Sequence, residues 1–64
     1  MIMKILIWNK RTECGLSCRQ LAELTGLSKS TINNLENLKT SPTLDELKII
    51  SKALNCHITD LFIE

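Results

Sequence analysis

Along the chain, short apolar runs recur at helical rather than alternating spacing, and capping or turn residues separate them. From Lys4 to about Cys14 the pattern predicts a first helix whose inner face is either Ile5, Trp8 and Thr12 or Ile7 and Arg11; its Ile-rich start also fits a strand. Gly15 ends this helix, and Leu16 packs back on the turn. Ser17 opens a second helix, because Ser17 and Gln20 stand at the spacing of a capping box, in which side chain and backbone satisfy each other's free groups. Leu21 and Leu24 form its expected inner stripe, and Gly26, free to adopt positive φ, is its expected stop. Ser28 caps a third helix, with Ile32 and Leu35 on one face and Leu27 in contact just before the cap. Thr43 and Glu46 make another capping box, ahead of a fourth helix that buries Leu44, Leu47, Ile50 or Ile49, and Leu54. Asn55 ends it in place of a glycine, and a short turn from about Ile58 to Ile63 sets Leu61 and Phe62 against the rest.

These elements predict an all-α domain of four to five helices spanning residues 1–64. The third helix is the anomaly. Apart from Ile32 and Leu35, it carries Lys29, Ser30, Thr31, Asn33, Asn34 and Asn37, a large polar surface for so small a chain. Leu38, between Asn37 and Lys39, stands where a glycine would stop the helix more comfortably. Leucine at positive φ costs about 1–2 kcal/mol, so the expectation is that Asn37 takes the left-handed turn and Leu38 meets a partner.

Composition narrows the class. At 44% hydrophobic and 23% charged residues, with one Pro and two Gly, the chain reads as globular rather than as linker or disordered tail. The apolar start, Met1 to Trp8, is far short of the roughly 20 residues a bilayer span needs and is followed by no cleavage-site pattern. Three cysteines, an odd number without a secretory signal, fit free thiols in a cytoplasm. A Cys3His zinc site built from Cys14, Cys18, Cys56 and His57 is disfavoured, since no Cys-x-x-Cys pair exists; His57 reads as a local cap or a solvated residue. Neither paired acids beside a nucleophile nor a Gly-rich phosphate loop is present, so no catalytic centre and no cofactor or small-molecule ligand is expected. Trp8 and Phe62 read as core or interface residues rather than a stacking platform.

Net charge is only +1, but it is unevenly spread. Residues 1–32 carry Lys4, Lys10, Arg11, Arg19 and Lys29 against Glu13 and Glu23, or +3; residues 33–64 carry Lys39, Lys48 and Lys52 against Glu36, Asp45, Glu46, Asp60 and Glu64, or −2. A basic front half is compatible with one face approaching phosphates.

The order Ala22, Gly26, Ile32 is demanding: a small residue for close helix approach, a glycine to turn, and a branched residue to plug the angle between two helices. With Gly15-Leu16-Ser17, Gln20-Leu21-Ala22, Ser28-x-Ser30-Thr31-Ile32, Leu35-Glu36-Asn37, Lys39, Pro42-Thr43-Leu44 and Ala53-Leu54, it resembles the phage-repressor and Cro-like family of helix-turn-helix DNA-binding regulators. The resemblance covers about residues 4 to 63 and implies a lambda-repressor-like fold with a helix-turn-helix at about 17–37, the third helix lying in the major groove. It implies base contacts from Lys29, Ser30 and Asn34, with Thr31 and Asn33 beside them. Lys29 suits guanine O6 and N7, and Asn34 suits adenine N6 and N7. Phosphate contacts map onto Ser17, Cys18, Arg19, Ser28, Asn37, Lys39 and Thr40, where free backbone N–H groups favour anions. The family usually has Gln at the place of Cys18, and a thiol is a weak donor. Arg11 and Glu36 match a structural ion pair. Lys10 stands where an apolar residue is commoner, its stem expected to run along the core.

The implied function is a sequence-specific double-stranded DNA-binding regulator, a repressor, acting as a homodimer on a pseudo-palindromic operator. Leu38, Leu61, Phe62 and Ile63, with Ile2 and Met3, are the interface candidates. A second reading keeps the fold but makes the chain a protein-interaction or antitoxin-like module that uses Leu38 and the C-terminal apolar surface.

Overall fold

The computed structural model describes residues 4–63; Ile2 and Met3, named above for the interface, lie outside the described residues. Four α-helices, α1 (Ile7–Glu13), α2 (Cys18–Thr25), α3 (Lys29–Glu36) and α4 (Leu44–Ala53), are followed by a 3₁₀ turn, Ile58–Leu61. The fold is thus mostly helical, as the pattern predicts. The start of the chain is the exception. Lys4–Ile5 form a short strand, β1, that pairs antiparallel with β2, Phe62–Ile63, in the register Lys4 to Ile63 and Ile5 to Phe62. The Leu6 N–H extends this pairing by donating to the Leu61 carbonyl at 2.8 Å, so the β-branched start is used as a strand and α1 begins only at Ile7.

One core collects Ile5, Ile7, Leu21, Ile32, Leu35, Leu47, Ile50, Leu54 and Leu61. On α1 the inner face is Ile7 with Arg11, and Trp8 is exposed. Two expected core positions point outward: Leu24 is 60% and Leu44 71% exposed. Helices this short offer two overlapping stripes. On α2 the inward set is Leu21 with half-buried Cys18, Ala22 and Thr25, and on α4 it is Leu47, Ile50 and Ser51. Leu61, expected at an interface, is fully buried in its own chain and presents nothing to a partner. Phe62 is half-buried and Ile63 exposed.

Helix ends explain much of the architecture. Ser17 with Gln20, and Thr43 with Glu46, close reciprocal capping boxes, and Ser28 accepts from the Thr31 N–H. At the C-termini, three helices close by the same pair of bonds. After α1, Gly15 N–H donates to Thr12 O and Leu16 N–H to Arg11 O; after α4, Asn55 N–H donates to Lys52 O and Cys56 N–H to Ser51 O. After α3, Leu38 N–H donates to Leu35 O at 3.3 Å and Lys39 N–H to Asn34 O at 2.9 Å. This closure needs a left-handed residue one position past the C-cap. That residue is Leu38, at φ 57, and not Asn37, at φ −95. The expectation for Asn37 is therefore overturned: it stands one residue too early and still bonds as helix, its N–H donating to Asn33 O.

Leu38 is 52% exposed, so within the described chain little burial offsets its backbone strain. Leu38→Gly is expected to stabilise the fold by about 1 kcal/mol, roughly 4–8 °C in Tm for a domain of this size. Leu38→Ala, which keeps the Cβ, gives no such gain. Thermal unfolding followed by circular dichroism checks both.

Candidate nucleic-acid interface

Helices α2 and α3 meet through the turn at Gly26, which is left-handed at φ 77. Ala22, half-buried against the core, keeps the helices close, and Ile32 is fully buried at their angle. Thr25 adds a device that the sequence pattern did not single out. Its hydroxyl donates to Leu21 O at 2.8 Å and accepts the Leu27 N–H at 3.2 Å, tying the end of α2 to the turn that follows.

The orientation of α3 is fixed at its far end by charge. Arg11 Nε donates to Glu36 Oε2 at 2.7 Å and Nη2 to Oε1 at 3.1 Å, a two-pronged pair whose side chains are only 11% and 6% exposed. Arg11 Nη1 donates to the Leu16 carbonyl at 2.9 Å, so one guanidinium joins α1, the turn before α2, and α3. The hydrogen bond to Glu36 pushes the Arg11 pKa above its ordinary value and outweighs the opposing effect of burial. Cys18, a phosphate-contact candidate at the outer start of α2, is instead half-buried with its Sγ directed at Glu36 Oε1, 3.8 Å away. A thiol turned into the protein offers a phosphate only its backbone. Cys14 is exposed, and its Sγ lies 3.7 Å from the Leu54 carbonyl. Burial, with help from Asp60, pushes the Cys56 thiol up. His57 is exposed, at the start of the 3₁₀ turn, where its N–H donates to Asp60 Oδ2.

The outward face of α3 carries Lys29, Ser30, Asn33 and Asn37, with Thr31 and Asn34 half-buried at its flank. Some of this surface is already engaged. Ser28 Oγ and Thr31 Oγ1 share a hydrogen bond of 2.8 Å, and Asn37 directs its side-chain nitrogen at two oxygens of Asn33. Arg19, Lys39 and Thr40 are exposed near the ends of the two helices; Arg19 stands 3.7 Å from Glu23 in a loose surface pair, and Lys10 similarly 3.4 Å from Glu13. Ser17 Oγ accepts from Gln20 N–H and keeps its own proton to donate.

Residues 9–61 match the family model described as helix-turn-helix. The chain belongs to the helix-turn-helix family of the Cro and phage-repressor type. A helix-turn-helix relative, an uncharacterized HTH-type transcriptional regulator of Methanothermobacter thermautotrophicus, is 42% identical over 62 residues, 95% of this chain and 90% of that protein. The HTH-type transcriptional regulator PuuR of Escherichia coli is 37% identical over 54 residues, 84% of this chain but 29% of PuuR. The competence pilus inhibition repressor of Acinetobacter baylyi is 36% identical over 53 residues, 83% of this chain and 48% of that protein. The chain thus spans less than half the length of the last two. These relatives bear the names of transcriptional regulators and a repressor.

In this helix-turn-helix the Arg11–Glu36 pair holds the second helix of the motif to the body. Arg11→Met strands the Glu36 charge in a nearly closed site and is expected to cost about 3–5 kcal/mol. The double variant Arg11→Met with Glu36→Met regains most of that loss, because no unpaired charge remains. A thermal melt of the two variants beside the parent measures both effects.

Proposed function

We propose that the chain is a sequence-specific double-stranded DNA-binding transcriptional regulator, a repressor, that reads the major groove with α3. The observation that carries this reading is the exposed polar face of α3, with Lys29, Ser30 and Asn33 outward, on a helix pinned from behind by Ile32, Leu35 and Glu36. Lys29, Ser30 and Asn34 contact base edges, with Thr31 and Asn33 beside them. Ser17, Arg19, Ser28, Lys39 and Thr40 meet phosphates around the starts of α2 and α3 and the loop after α3. Residues 1–64 act as a single domain in the cytoplasm and repress by occupying a promoter.

One such module, with a net charge of +1, has little electrostatic attraction for a polyanion. We take the active species to be a homodimer on a pseudo-palindromic operator, its half-sites centred roughly 10 base pairs apart. Leu38 and Ile63 remain exposed for that contact, with Phe62 half-buried beside Ile63. Leu44, also exposed, stands at the other end of the loop that carries Leu38. The same apolar residues are what favours the second reading, a protein-interaction module.

Selection of bound duplexes from a random library separates the two. A recovered palindrome supports the DNA reading, and absence of any enrichment rejects it. Lys29→Ala is expected to change the preferred base at one symmetric position. Lys39→Ala is expected to weaken all duplexes alike and to lower the slope of log K against log salt by about one for each charge removed.

A further inference from the structure

Asn33 and Asn37 stand one turn apart on the outward face of α3, and their amides are joined. Asn37 Nδ2 lies 3.0 Å from the Asn33 main-chain carbonyl and 3.0 Å from Asn33 Oδ1. A carbonyl only accepts, so the end of the Asn37 amide that faces it is the nitrogen; the Asn33 atom that faces this nitrogen is then the oxygen. Both amide orientations follow from hydrogen-bond chemistry. With its oxygen held against Asn37, Asn33 turns its NH2 group outward, and that group has no hydrogen-bond partner among the described residues.

We propose that Asn37 is a specificity-determining positioning residue: by holding the Asn33 oxygen, it makes Asn33 a donor-only reader that selects guanine O6 and N7, or thymine O4, and rejects the cytosine amino group. An unrestrained asparagine presents donor and acceptor together and pairs bidentately with adenine. The Asn34 side chain, which no hydrogen bond holds among the described residues, keeps that freedom. Two neighbouring asparagines on one helix thus read different chemistry. This inference rests on the placement of α3 in the major groove.

The test is duplex selection with the full chain and four variants, each first shown to melt within a few degrees of the parent. For the parent, guanine or thymine is expected at one symmetric position of each half-site, and Asn33→Ala removes the preference there. Asn37→Asp replaces the donor with acceptors only, which the Asn33 main-chain carbonyl repels, so it releases the Asn33 amide. The position then admits adenine, which an unrestrained asparagine pairs bidentately. Asn37→Ala broadens the position, lowering discrimination about fivefold or more, and Asn37→Gln, which keeps an NH2 donor, retains the parental base. A change in overall affinity alone, shared by all sequences, would mean that Asn37 meets the phosphate backbone and would overturn the inference. So would an unchanged base in Asn37→Asp, or an unchanged preference in Asn33→Ala. Failure of the parent to enrich any duplex is a different result, which defeats the DNA reading itself.

Discussion

The ion pair between Arg11 and Glu36 is the constraint on which the placement of α3 depends. Two buried apolar side chains, Ile32 and Leu35, attach this helix to the core through contacts that carry no direction of their own. The guanidinium supplies the direction. It is planar, spends two nitrogens on Glu36 and a third on the Leu16 carbonyl, and so fixes the end of α3 relative to α1 and the turn before α2. Taking both charges out of water is costly, and the net contribution to stability is small compared with the cost of losing one partner. What the pair supplies is a defined orientation. In a chain whose core holds few large side chains, that is a better use of a buried charge than bulk stability.

A second constraint follows from size. A domain of this length buries only about 60% of the surface its unfolded chain exposes, so unsatisfied helix ends weigh heavily. Each α-helix accordingly stops in a left-handed residue, and three of the four start at a Ser or Thr whose oxygen accepts a backbone N–H. Gly15, Gly26 and Asn55 suit the left-handed role; Leu38 does not. The two bonds that close α3 outweigh the strain of one leucine, and the strain stays where the chain is exposed and no core packing has to adjust.

The parts of this fold that were legible in the sequence are the ones decided locally. Ser17 with Gln20 and Thr43 with Glu46 are separated by three residues, so the capping boxes and the helix starts could be read directly. Gly26 and Asn55 could be read for the same reason. Inner faces were less legible. In seven- to ten-residue helices, Leu24 and Leu44 satisfy helical spacing as well as Leu21 and Leu47 do, and only the tertiary arrangement chooses between them. The ribbon of Lys4–Ile5 with Phe62–Ile63 joins the two ends of the described chain, a pairing that no local pattern specifies. The left-handed residue after α3 was misread because Asn tolerates positive φ better than Leu, whereas the closing bonds dictate position before residue type. At the candidate site, the polar residues of α3 were legible as a set. Which of them are already bonded to one another was not, because side-chain direction depends on rotamers that spacing leaves open.

On the proposed reading, a nearly neutral module depends on how the polar groups of α3 are shared out. The polar face of α3 divides into groups engaged with each other and groups left open: Ser28 with Thr31 and Asn37 with Asn33 on one side, Lys29, Ser30 and the outward NH2 of Asn33 on the other. A side chain held by a neighbour has lost part of its rotamer freedom before any partner arrives, and so loses less on binding. Where long-range attraction is weak, selectivity has to come from such prior ordering. On the proposed DNA reading, the engaged groups still count: they fix which donors and acceptors the open groups present, just as Arg11 and Glu36 fix the helix that presents them.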